Sequence, residues 1–308
     1  MDGLLIIDKP AGPTSHDVVA RMRRALGERS IGHTGTLDPA ATGVLPLVLG
    51  RATRLARFLS ADVKTYEAVV RFGFATDTRD ARGTPQGPRY EGPLPSRDAI
   101  EAHLTAFRGT FLQQPPAYSA RKISGERSYT LARARSRTAV SQADQPGPLP
   151  APSRVTVHHL DIVSVEPDGV TLRVDCSAGF YVRSLAHDLG ERLGVGAHLA
   201  ALRRTRSGDC RIEDALPLEA ADADPRQAID RVIPLSRMLP GLPPVVLTPE
   251  GVRRVAHGRD LGPDEIEKGA RPLFAHPGFV RLLGPEGELV GIAEPAPSGL
   301  LHPSVVLV

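Results

Sequence analysis

Apolar and polar positions divide this chain into elements before any motif is considered. "LLIIDKP" begins with four contiguous apolar residues and stops at Lys9-Pro10, the pattern of a buried strand. In "TSHDVVARMRRALG", Val18, Val19, Met22, Ala25 and Leu26 recur at helical spacing, and Arg21, Arg23 and Arg24 fall outside that face. The segment predicts a helix with Ser15 as N-cap and Gly27 as its stop. "VLPLVLG" reads as a strand and "RATRLARFLS" as a short helix displaying Arg51, Arg54 and Arg57. "TYEAVVRFGF" alternates with period two: Tyr66, Ala68, Val70, Phe72 and Phe74 face one way, Glu67, Val69, Arg71 and Gly73 the other. "SRDAIEAHLTAF" is helical. "RVTVHHLDIVSVE" and "VTLRVDCSA" about "PDG" form a hairpin, followed at once by the helix "FYVRSLAHDLGERLG".

Two stretches have loop composition, "GTPQGPRYEGPLPS" (83–96) and "AVSQADQPGPLPAPS" (139–153), and the second is expected to be mobile. Pro-rich "PLSRMLPGLPPVV" marks a boundary near residue 240. Beyond it lie the short strand-like runs "VVLT", "RPLFA", "FVRLLG", "ELVGIAE" and "SVVLV", which predict a small β-barrel. The pattern therefore assigns 1–240 to one domain and 241–308 to a second, with no internal repeat.

Composition adds little to this picture, and charge adds more. At 308 residues, 41% hydrophobic and 24% charged, the chain has the balance of a globular protein. No apolar run approaches the ~20 residues that span a bilayer, and "MDGLLIIDKP" has no signal-peptide pattern, so a cytoplasmic location is expected. Cys176 and Cys210 are too few and too far apart for a zinc site or a disulfide framework, and read as free thiols. Net charge is +3, yet Arg121, Lys122, Arg127, Arg133, Arg135 and Arg137 cluster against a single acid, Glu126. Arg203, Arg204, Arg206 and Arg211 form a second knot, and "EAADADPRQAID" is acidic. Segregated basic patches suit a polyanion, although solvated surface arginines produce the same composition.

The segment "GERSIGHTGTLDPAATG", Gly27 to Gly43, lies one residue from a nucleotide-binding P-loop. The mechanism of that loop excludes it here. The segment follows a helix, His33 stands where a lysine must reach the phosphates, and Pro39 interrupts the binding helix. What remains is a loop with four glycines (Gly27, Gly32, Gly35, Gly43), one His and one Asp. Pro39 fixes its own φ and drives Asp38 into extended backbone, which holds a carboxylate away from the chain; a plain turn is the common use of Asp-Pro. "SHD" at 15–17 is no triad, because three adjacent residues cannot converge on one point.

"GHTGTLDPAATGVLPLVLGRATRL" resembles the signature loop of the TruB-type tRNA pseudouridine synthases. "GLLIIDKPAGPTS", "KTYEAVVRFGFATDTRDARG", "PPAYSARKISGERSYTLAR" and "CSAGFYVRSLAHDLGERLGVGAHLAALRRTRSG" resemble that family's further motifs, in family order, across nearly all of residues 3–208. The resemblance implies an α+β fold: a large catalytic domain with a mixed, mainly antiparallel sheet flanked by helices, and a PUA-like C-terminal barrel. It implies isomerisation of uridine 55 in the tRNA T-arm, with the N1–C1′ bond broken and C5 joined to C1′. No cofactor, metal or obligatory protein partner is implied, and a monomer is expected.

By the same resemblance Asp38 is the catalytic carboxylate, as nucleophile or base, and Arg183 is its pairing cation. A dry pocket would by itself favour the protonated acid, so a cationic partner is expected to oppose it. Tyr66 matches the tyrosine lying against the target base. His33 matches a ring that fills the gap left by the flipped nucleotide. Asp80 corresponds to an acid tying the site together by hydrogen bonds or ion pairs, Leu202 to an apolar residue near the uracil, and Lys9 to a lysine supporting the loop. Arg121, Lys122 and Arg127, with Arg133 and Arg135, are expected to grip tRNA phosphates from an insertion around 110–150. Two alternatives stand beside this reading: an RNA-guided dyskerin-type synthase, disfavoured by the basic insertion and by the short segment before "GLLIIDKP", and a tRNA-folding chaperone acting by binding alone.

Overall fold

The computed structural model describes residues 1–61, 63–119, 121–123, 126–128, 130–131, 149–267 and 278–308. Arg133, Arg135, Arg137, most of the 139–153 loop and the strand expected at "RPLFA" lie outside the described residues.

The main sheet carries the strands β1 (Gly3–Lys9), β2 (Ile31–His33), β3 (Thr42–Leu49), β4 (Lys64–Phe72), β5 (Gly109–Gln113), β6 (Ser153–Glu166), β7 (Gly169–Cys176) and β8 (Ala197–Ser207). Its order is Leu216–Pro217, β1, β3, β8, β4, β7, β6, β5, with β2 paired to β3 off this path. Most pairs are antiparallel; β3 meets β8 in parallel through Thr42 and Gly43 opposite Arg203 and Arg204 alone. That narrow junction joins the two halves of the sheet.

Burial explains the apolar patterns. On β4, Ala68, Val70 and Phe72 are buried, and they pack with Leu172 of β7 against helices α2 (Arg97–Leu104) and α3 (Val182–Leu193). On the other half, Leu5, Ile7, Leu45 and Leu47 receive Val18, Val19 and Met22 of helix α1 (Ser15–Leu26). Burying those three side chains is worth about 2 kcal/mol each. The opposite face of β1 and β3, with Leu4, Ile6, Val44 and Val48, is covered by Leu289, Ile292, Val305 and Leu307 from the C-terminal strands. Both faces of β1 are thus dry, which is why "LLII" is contiguous and not alternating.

Two expectations are corrected. Thr14, not Ser15, caps α1: its hydroxyl accepts from the Asp17 N–H at 3.1 Å, and the Asp17 carboxylate accepts from the Thr14 N–H at 2.8 Å, a reciprocal capping box. Ser15 is turned inward instead. The C-terminal strands, β9 (Pro244–Val246), β10 (Val280–Leu283), β11 (Leu289–Pro295) and β12 (Leu301–Val306), form an open four-stranded sheet in that order among the described residues, not a closed barrel. It buries its faces on the main sheet and on Val255 of helix α4 (Pro249–Ala256), so packing substitutes for closure.

Candidate active site

The loop between β2 and β3 delivers Asp38 to the start of α3. The Asp38 carbonyl accepts from the Ala41 N–H at 3.0 Å, closing a turn, while the Pro39 carbonyl accepts from the Gly12 N–H at 2.8 Å. Two of the four loop glycines use positive φ: Gly27 (61°) ends α1, and Gly43 (101°) lets β3 touch β8. A Cβ on Gly43 would lie 2.2 Å from the Arg204 carbonyl oxygen. Gly32 and Gly35 are not in the left-handed region, so their conformational freedom is not required.

Asp38 Oδ2 sits 2.9 Å from Arg183 Nε, with side chains 42% and 8% exposed. Arg183 is the second residue of α3, and its other nitrogens donate to the carbonyls of Thr78 (3.2 Å) and Tyr118 (2.8 Å). Every guanidinium nitrogen therefore has an acceptor. The dry environment expected around the acid falls on its partner: the cation is buried, and the carboxylate faces outward. Removing this acid leaves a buried charge without compensation.

Tyr66 and Leu202 occupy the seam between the two halves, each half-buried against both cores. Burial pushes the Tyr66 phenol above its usual value, so it is a neutral hydroxyl at physiological pH. Lys9 is fully buried at the end of β1 and donates to the carbonyls of Pro10 (2.8 Å), Pro39 (3.3 Å) and Ala41 (2.8 Å), clamping both sides of the turn that presents Asp38. Burial lowers its ammonium to about 8. Asp80 makes no ion pair among the described residues. Its carboxylate accepts from the Thr78 hydroxyl (2.7 Å) and the Arg82 N–H (3.0 Å), bracing the loop whose Thr78 carbonyl receives Arg183.

His33 meets His16 edge-to-face at 5.3 Å, and its Nδ1 is buried without a partner among the described residues. Burial first, then His16 and Arg204, lowers it to about 4. Between pH 6.5 and 4 the unfolded state binds this proton and the folded state does not, so stability contributed by His33 is lost as pH falls through that window. Urea unfolding of His33→Gln is expected to decline less steeply than that of the parent between pH 6.5 and 4; parallel curves would contradict the shift.

Arg121 is exposed, with its guanidinium near Gly179. Lys122 and Arg127 pair across a two-residue ladder, and their side chains lie outside what is described. Two arginines of the second basic knot are not free surface charges. Arg203 pairs with Asp8 at 2.8 Å, and Arg204 is fully buried, donating to the carbonyls of Val44 (2.7 Å) and Gly35 (3.0 Å) opposite Tyr66 in register. Arg204 is the site residue hidden from sequence reasoning. Four arginines within nine residues read as a charge run; the pairing of β8 with β4, which places Arg204 opposite Tyr66 and shifts register between Arg204 and Arg206, separates the buried one. Among the described residues no three His, Cys, Asp or Glu side chains converge as metal ligands, and no helix is long and apolar enough to cross a membrane.

The fold and sequence are those of a pseudouridylate synthase, and the chain belongs to the TruB family of these proteins. The N-terminal domain of the TruB family pseudouridylate synthases matches residues 23–182, and the tRNA pseudouridylate synthase B C-terminal domain matches residues 183–238. The chain is 41% identical over 311 residues to the tRNA pseudouridine synthase B of Solibacter usitatus (strain Ellin6076), covering 100% of both chains. It is 50% identical over 226 residues to that of Gloeobacter violaceus (strain ATCC 29082 / PCC 7421), covering 72% of this chain and 74% of the other. Among solved structures it is similar to a chain of an H/ACA RNP bound to a substrate RNA containing 2′-deoxyuridine, with a TM-score of 0.71 and 26% identity over 99% of this chain and 85% of that one.

Proposed function

We propose that this chain isomerises uridine 55 in the T-arm of tRNA to pseudouridine, with Asp38 as the catalytic carboxylate. The observation that carries the reading is the outward-facing Asp38 carboxylate held by a buried, fully hydrogen-bonded Arg183. In the reaction the N1–C1′ bond breaks, the uracil turns, C5 joins C1′, and the C5 proton leaves while N1 gains one. Arg183 orients the carboxylate and balances its charge as the nucleoside arrives. Tyr66 lies against the base beside Leu202. Lys9 and Asp80 hold the two loops. Residues 1–240 act as the catalytic domain; residues 241–308 act as a PUA-like RNA-binding domain. The insertion bearing Arg121, Lys122 and Arg127 grips phosphates of the tRNA elbow. Such a protein acts in the cytoplasm, as a monomer, without cofactor or metal.

Extruding the base costs a few kcal/mol, and His33 refills the stack with a neutral ring. Stacking of that kind is worth about 1–3 kcal/mol, so His33→Ala is expected to lower single-turnover rate roughly 10- to 100-fold, less than Asp38→Ala. Equal abolition by both variants would remove the wedge role.

The structural likeness to an H/ACA ribonucleoprotein chain favours a second reading, in which a guide RNA selects the uridine. Purified protein and an unmodified tRNA transcript, with no guide present, separate the two. Site-resolved mapping is expected to find pseudouridine at position 55 alone. Modification that appears only after a guide RNA is added would establish the second reading instead. Asp38→Asn protein that still refolds tRNA would show chaperoning to be a separable activity.

A further inference from the structure

We infer that Ser15 and Gln113 are positioning residues for the Asp38–Arg183 pair, each acting through the backbone of one neighbouring residue; the inference rests on the reading that this pair performs the isomerisation. Neither is a surface polar group: Ser15 is 1% and Gln113 2% exposed. Ser15 Oγ accepts from the Leu37 N–H at 2.9 Å and donates to the Leu37 carbonyl at 3.1 Å. Gln113 accepts from the Tyr181 N–H at 2.8 Å through Oε1 and donates to the Tyr181 carbonyl at 3.0 Å through Nε2.

The two contacts have the same form. Each holds both the N–H and the C=O of a single residue, which pins its φ and ψ together. Leu37 immediately precedes Asp38, and Tyr181 lies two residues before Arg183 at the uncapped start of α3. The clamps come from different elements, α1 and the end of β5, so the two halves of the ion pair are registered separately against the scaffold. The chain after Gln113 continues the second clamp. The Gln114 carbonyl accepts from Ser184 Oγ at 2.8 Å, and the Tyr118 carbonyl accepts from Arg183 itself.

A buried polar side chain costs about 1–3 kcal/mol of desolvation unless its hydrogen bonds are met. Both are met here: the Leu37 peptide lies outside any helix or sheet ladder, and at Tyr181, whose carbonyl also accepts the first bond of α3 from the Leu185 N–H at 3.2 Å, Gln113 adds the hold on the N–H. An apolar residue of equal size would serve packing as well, but it would leave the Leu37 peptide unheld, or the Tyr181 N–H without its acceptor and the peptide held by its helical bond alone. A displacement of about 1 Å in reacting groups costs on the order of 10²-fold in rate. The cost should therefore appear in the chemical step and not in RNA affinity.

Ser15→Ala and Gln113→Met test this in single turnover, with enzyme in saturating excess over unmodified tRNA transcript and Kd for the transcript measured separately. Misfolded protein only lowers the effective enzyme concentration, so the rate constant of the folded fraction is untouched while that fraction stays saturating. Each variant is expected to lower the rate constant about tenfold or more while Kd stays within about twofold. If either fails to fold, Ser15→Thr, which keeps the hydroxyl, is expected to hold the rate within about threefold, and Gln113→Glu, which loses the donor, to lower it about tenfold. Rate constants within about twofold of the parent, or losses confined to Kd, overturn the inference. Unimpaired turnover by Asp38→Asn in the same assay overturns instead the reading beneath it.

Discussion

Asp38→Asn is expected to lower single-turnover pseudouridine formation by on the order of 10³-fold or more, because the amide is neither a base nor a nucleophile. The substitution is close to isosteric, so Arg183 Nε keeps an oxygen acceptor and its carbonyl partners at Thr78 and Tyr118 are unchanged. What is lost is the counter-charge to a buried guanidinium. The carboxylate is 42% exposed, so screening limits the stability cost to about 1 kcal/mol. Activity and stability should thus separate widely. Asp38→Glu retains the charge but lengthens the side chain, and misplacement of about 1 Å predicts an intermediate loss on the order of 10²-fold. Retention of a tenth or more of parental rate by Asp38→Asn, measured on folded protein, would exclude the carboxylate from the chemistry.

The largest expected loss of stability comes from one glycine. Gly43→Ala is expected to lower unfolding free energy by about 3 kcal/mol or more, from left-handed strain and overpacking together. Gly43 has φ 101°, and an added Cβ would fall 2.2 Å from the Arg204 carbonyl oxygen and 2.8 Å from its nitrogen. Backbone atoms cannot swing aside as a flexible side chain can. The clash also strikes the one short parallel contact, Thr42 and Gly43 with Arg203 and Arg204, that joins the two halves of the sheet. Gly32→Ala is the matched control, because its Cβ would meet nothing closer than Val48 at 3.6 Å. That variant is expected within about 0.5 kcal/mol of the parent. Urea midpoints and slopes of the two variants check the claim, and equal midpoints would defeat it.

Wherever one element presents one dry face, hydrophobic periodicity located it. The apolar stripe of α1, the alternation of β4 and the hairpin of β6 and β7 stand at the positions their patterns predict. The loop bearing Asp38 was visible as a loop, and resemblance to two separate family motifs pointed to Asp38 in it and to Arg183 in "FYVRS". Failures arose where the deciding partner is remote in sequence. Thr14 and Ser15 are equivalent as capping residues on paper. The choice fell to Thr14 because the Ser15 hydroxyl is held by the Leu37 peptide, 22 residues away. Arg204 looked like its neighbours Arg203 and Arg206 until pairing with β4 placed it opposite Tyr66 in the interior.

Local chemistry, written in side-chain order, was sufficient for element type, for the turn that exposes a carboxylate, and for the absence of a P-loop lysine. These properties depend on residues within one turn or one strand of each other. Which arginine is buried, which glycine is indispensable and whether the acid or its cation is desolvated depend on contacts across β3, β8 and α3. Those are long-range packing choices, settled when the two half-sheets close on one another and each buried polar group must find its partner.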